Sequence, residues 1–182
     1  MAGVRALPSA ACHEAGHAVI ALLLGLPLEQ VSIRPDGRNG MCITAEPNGI
    51  YLRLRDGESE AVRWAEHKMV MLAAGAEAER VLRGSASLVG DIDDRSAINN
   101  LLSDLIPAPD MTAPPPEWDE YERAVEERRV RVYERAALLL ASRASREALL
   151  ALASLLAEKG KVGGTEAEAA VTKHLPPAEG GY

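Results

Sequence analysis

Residues 9–24 read Ser9-Ala10-Ala11-Cys12-His13-Glu14-Ala15-Gly16-His17-Ala18-Val19-Ile20-Ala21-Leu22-Leu23-Leu24, and this stretch decides how the rest of the chain is read. Its flanks are apolar nearly all round, the pattern of a helix buried on every side. At its centre His13-Glu14-Ala15-Gly16-His17 is an HExxH. Histidines four apart lie one above the other on one helix face, so both imidazoles can reach a single zinc ion. Glu14 sits beside that pair, placed to accept a proton from a zinc-bound water. Two imidazoles and a carboxylate are unfavourable to bury unless something compensates them, and a metal does. The competing reading is an ordinary helix whose histidines bond to backbone or solvent.

The 182 residues are enough for one well-buried domain, 1–182, and few for two. Abundant Ala and Leu with only 3% aromatics favour helices packed through small aliphatic side chains, so the expected class is mainly α (α+β). A net charge of −7 argues against a nucleic-acid surface, and no nucleic acid is expected as partner. The basic run Arg128-Arg129-Val130-Arg131 alternates with glutamates and reads as a solvated helix face. Two cysteines, Cys12 and Cys42, make no disulfide scaffold, and with no secretory signal a cytoplasmic location is expected. Cys12 adjoins His13 but reads as a small buried residue. The longest apolar run is too short to span a bilayer, so no membrane anchor is expected.

Ser9 is an expected N-cap, and Gly25 and Pro27 end the first helix. Val31–Arg34, Met41–Thr44 and Ile50–Leu54 are expected strands, giving a small β-sheet after the zinc helix. Residues 59–82 carry helical spacing through Val62, Met69, Leu72, Ala73 and Ala76, and Gly84 stops it. The acidic cluster Asp91-Ile92-Asp93-Asp94 opens a third helix with Ala97, Ile98, Leu101, Leu102 and Leu105 on its apolar face. These elements form a zinc-site half, 1–106. A Pro-rich loop, 107–116, leads to a C-terminal helical part, 117–175, broken near Ser142–Ser145 and again at Gly160. Thr165 with Glu168 is a capping-box signal for a last short helix, and 176–182 reads as a flexible tail.

A catalytic zinc takes three protein ligands and leaves a position for water. The third ligand is expected in the acidic cluster, where a helix N-terminus holds a carboxylate; His67, Glu77 and Glu79 are competitors. Glu79 could instead orient a ligand histidine through its other ring nitrogen.

The chain resembles the peptidase domain of the FtsH-type AAA zinc metalloproteases. His13–Ala18 followed by Val31–Pro35 resembles that family's zinc helix and next strand, and Leu72–Glu79 its Gly-x-Ala-Ala-Glu segment. Counting on without a gap, Gly84 falls on a common glycine and Asp93 on the family's aspartate ligand, with Ala97 one turn below. Leu149–Leu156, Glu158, Gly163-Gly164 and Glu166–Val171 resemble its closing helices. The resemblance implies a helical zincin-type fold and Zn²⁺ held by His13, His17 and Asp93. Asp94 replaces an apolar residue the family usually has, which leaves Asp94 first and Asp91 second as alternative registers. No GxxxxGK[ST] phosphate loop is found, so the resemblance covers the peptidase part alone.

The expected function is a zinc-dependent endopeptidase acting on unfolded or flexible protein or peptide substrates, with Glu14 as general base. A strand within 31–44 could hold an extended peptide by β-addition. Two alternatives stand beside it: a zinc-fold interaction module without catalysis, and a peptidase subunit active only as a homo-oligomer or docked to a separate ATPase.

Overall fold

The computed structural model describes residues 7–87 and 91–175; the tail reading of 176–182 falls outside them. Helix α1 (Ser9–Leu23) is the centre of the molecule, and every residue from Ala10 to Ala21 is buried. It ends where Gly25 turns with φ +71° and the Leu26 amide bonds back to the Ala21 carbonyl. The antiparallel strands β1 (Leu28–Ile33) and β2 (Gly40–Thr44) follow. Next come α2 (Ile50–Arg55), α3 (Ser59–Arg83), α4 (Asp91–Leu105), α5 (Pro115–Leu140) and α6 (Arg143–Lys159). Strand β3 (Lys161–Gly163) and α7 (Gly164–Thr172) close the described chain.

Among the described helices, α1 and α3 make the most extensive contact. A Cβ on Gly16 would fall 2.5 Å from the Ala74 carbonyl oxygen and 2.6 Å from the Ala78 Cβ, so the two backbones touch where Gly16 has no side chain. The core around them is aliphatic: Ile20, Met69, Met71, Leu149, Leu152 and Leu156 are all fully buried. Burying each such side chain is worth about 1.5–3 kcal/mol. The three-stranded sheet has the order β2-β1-β3, which makes β2 an edge.

The mainly helical architecture with a small sheet agrees with the sequence, but three local expectations are corrected. Residues 50–54 are helix, not strand. Ile50 and Leu54, four apart, are each 2% exposed, while Leu52 between them is 67% exposed; a strand would have put all three on one face. Gly49 at φ +66° starts that helix. The third strand comes instead from Lys161–Gly163, where Val162 alone is buried. Pro8, not Ser9, holds the cap position of α1, and the Ser9 hydroxyl is spent elsewhere. Thr165 lies inside α7, whose cap position is Gly163 with no side-chain bond. The break at Ser142 is as read: its Oγ accepts the Ser145 amide at 3.0 Å and starts α6. Among the described residues no helix is long and apolar enough to cross a membrane.

Candidate metal centre

His13 and His17 project from the same face of α1, their rings edge-to-face with centroids 4.6 Å apart. Each imidazole is fixed through Nδ1. His17 Nδ1 lies 2.8 Å from the Met71 carbonyl on α3, an acceptor only, so Nδ1 carries the proton and donates it. His13 Nδ1 lies 3.0 Å from Oε1 of Glu79, 1% exposed, and donates to that carboxylate. Glu79 Oε2 accepts the Ser9 hydroxyl at 2.5 Å and the Ser87 amide at 3.0 Å. Burial works against the Glu79 charge, but the bonds from His13, Ser9 and Ser87 prevail and hold its pKa below the ordinary value.

With both Nδ1 protons directed outward, both Nε2 atoms turn toward a third group, Asp94. Its Oδ2 is 2.9 Å from His13 Nε2 and 3.2 Å from His17 Nε2. One ligand atom from each of these residues lies within 4.8 Å of the other two. Helix α4 thus aims Asp94 at the histidines, whereas Asp93, one residue earlier and rotated by about 100°, is exposed and only lines the cleft. The register expected from the resemblance is therefore displaced by one residue in the geometry. Asp91, the other alternative, is buried and paired with Arg95 at 2.5 Å. Glu77 pairs at the surface with Arg80, and His67 lies outside the cleft lining. The orienting role considered for Glu79 matches its bond to His13. Cys12 is wholly buried, and burial first of all pushes its thiol up to about 11.

The donor set fits a cation. Neutral His13 and His17 would offer two lone pairs to a carboxylate that also has only lone pairs to give. Without a metal, extra protons must fill the gap. Burial disfavours the His13 imidazolium, yet its bonds to Asp94 and Glu79 outweigh that and raise its pKa to about 10. His17 shifts upward as well, against burial, through the Asp94 charge and hydrogen bond. Burial opposes the Asp94 charge, but the two imidazoles overcome it and depress its pKa far below the carboxylate norm. A divalent ion would supply that positive charge in place of the protons.

Glu14, 6% exposed, stands on the wall of a cleft of about 250 Å³ that also contains His13, His17 and Asp94. Burial raises its pKa, with the neighbouring histidines pulling the other way. Two glycines make room for the site. A Cβ on Gly75 would lie 2.4 Å from His13 Nε2, and one on Gly40 would lie 2.4 Å from Glu14 Cγ. Sequence reasoning gave no function to Gly75, Gly40 or Lys68, which also lines the cleft; a glycine's clearance and a lysine's wall position depend on tertiary packing alone. No protein-family model matches the chain, and no curated protein matches it either.

Proposed function

We propose that the protein is a zinc-dependent endopeptidase in which His13, His17 and Asp94 hold the metal and Glu14 is the general base. The observation that carries this reading is the convergence of His13 Nε2, His17 Nε2 and an Asp94 oxygen on one point, with both Nδ1 atoms anchored outward on Met71 and Glu79. The resemblance of the HExxH helix and the Leu72–Glu79 segment to FtsH-type peptidases points to the same chemistry. Zinc bound by these residues would polarise the scissile carbonyl and acidify water at neutral pH.

The chain's own groups would do the rest. Glu14 takes the proton of the attacking water and returns it to the leaving amine. Its raised pKa suits both halves of that exchange, because a weakly basic carboxylate would accept the proton poorly. Glu79 and the Met71 carbonyl hold the imidazoles in the tautomer that leaves Nε2 free. The free edge of β2 beside the cleft suits an extended peptide, which favours unfolded or flexible chains as substrates.

Purified without chelator, the protein should carry about one zinc per chain and cleave a casein-type substrate, with activity lost to chelator. Glu14→Gln should keep the zinc and lose cleavage by at least about a hundredfold; His17→Ala should lose both. Cleavage persisting in Glu14→Gln would remove Glu14 as the base. A protein that takes up no zinc even when it is supplied would remove the peptidase reading.

A further inference from the structure

The acidic end of the cleft is accounted for by the proposed chemistry, but its basic wall is not. Lys68 is the one lysine or arginine among the residues lining the cleft, which otherwise bring the charges of Glu14, Asp93 and Asp94. It sits on α3 one turn before Met71, the residue whose carbonyl fixes His17. Its ammonium donates to the Thr44 hydroxyl at 2.8 Å. It makes no ion pair with a carboxylate among the described residues. A lysine in a chain of net charge −7 readily finds an acidic neighbour; this one is held in a cleft by a neutral hydroxyl, with donors to spare.

Strand β2 fixes where that cation stands relative to the chemistry. Gly40, Cys42 and Thr44 alternate onto one face of the strand. At one end Gly40 packs on Glu14, and at the other Thr44 packs on Lys68. Cys42, between them, lines the same cleft as Glu14 and Lys68. Four residues of strand cover about 13 Å. An extended peptide lying along this edge would therefore reach Lys68 about three to four residues from the bond beside Glu14.

We propose that Lys68 is a specificity residue that receives a carboxylate of the bound peptide, about three to four residues from the scissile bond. The inference rests on the peptidase reading for what happens to the peptide, though not for its binding. An acidic side chain and a free C-terminus offer the same chemistry. Both would be drawn to Lys68, the one lysine or arginine in the cleft lining, which favours one direction for the peptide in the cleft.

The test is fluorescence anisotropy of labelled Ala/Ser octapeptides on zinc-supplemented Glu14→Gln protein, which binds without turnover. One peptide is neutral and amidated, one has a free C-terminal carboxylate, and two are amidated with a single internal glutamate or glutamine. At least one carboxylate peptide should bind about tenfold more tightly than its neutral partner, as expected for a hydrogen bond to a charged group. Which of the two does so identifies the source of the carboxylate. Lys68→Met should erase the preference, while Lys68→Arg and Thr44→Val should keep it. A preference erased equally by Thr44→Val would make Lys68 a mere tether between β2 and α3 and overturn the proposal. Equal affinity for charged and neutral peptides with Lys68 intact would overturn it without recourse to any variant of Lys68. Zinc measured on the same samples separates the two readings: a carboxylate preference without zinc would leave Lys68 standing and remove the peptidase, and zinc without a preference would do the reverse.

Discussion

One residue separates Asp93 from Asp94, and on a helix that is a rotation of about 100°. The difference decides which carboxylate meets His13 and His17, so metal content is expected to respond to one and not the other. Asp94→Ala should drop zinc from about one per chain to a small fraction of that, whereas Asp93→Ala should leave it in place. Elemental analysis of the two purified variants checks this, and zinc retained by Asp94→Ala would return the third ligand to the open set. Gly75 offers a second test at this scale. A methyl group there would press on His13 Nε2, so Gly75→Ala should weaken zinc binding by about tenfold or more through a displaced ring. The α3 helix itself would gain, since alanine favours a helix over glycine by about 1 kcal/mol. A zinc-competition titration run beside a melting curve separates these effects; unchanged affinity would mean the ring has room the structure does not show.

Elements matter because no single one contains the site. Helix α1 supplies His13, Glu14 and His17, α3 supplies the Met71 carbonyl and Glu79, and α4 supplies Asp94. Glu79 binds them together, taking bonds from Ser9 and His13 on α1 and from the Ser87 amide on the way to α4. Glu79→Gln keeps the shape but loses the charge facing His13, and zinc affinity is expected to fall by roughly 10–100-fold. A fold-intact Glu79→Gln with unaltered affinity would show that Glu79 only packs. The same division explains what the sequence made legible. The α1 pair needs only a spacing of four within one helix, so it was readable from residues 13–17. The long helices followed from their periodicity, and the α5–α6 break from Ser142. Asp94 was not separable from Asp93, because which side of α4 faces α1 is set by how the helices pack. Residues 50–54 alternate well enough to pass for a strand until burial shows Leu52 in solvent. Strand β3 is three residues long, too short for any pattern, and exists because β1 offers it an edge.

For the whole molecule, the proposed metal site would couple stability to pH in opposite senses with and without metal. In the metal-free protein His13 titrates at about 10, raised from 6.5, and His17 is raised as well. The His13 contribution to stability is complete below 6.5 and is lost as pH climbs through about 10, and that of His17 is lost in the same direction. Asp94, depressed from 3.8, contributes above that value and loses its contribution as pH falls through its lowered pKa. Glu14, raised from 4.5 by burial, makes stability fall as pH rises above 4.5, because the folded state prefers its protonated form. The metal-free protein should therefore be most stable in mildly acidic solution and loosen steadily above pH 6.5. Zinc held at this site would compete with protons for the same two nitrogens, so its binding would strengthen as they leave, and bound ligand would stabilise by mass action. The melting temperature with chelator should fall between pH 6.5 and 9.5, and the gap to the zinc-loaded protein should widen over the same interval. Melting temperatures that coincide with and without zinc throughout that range would mean that the three acceptors are satisfied by protons alone, and that the convergence on α1 is a buried ion cluster and not a metal centre.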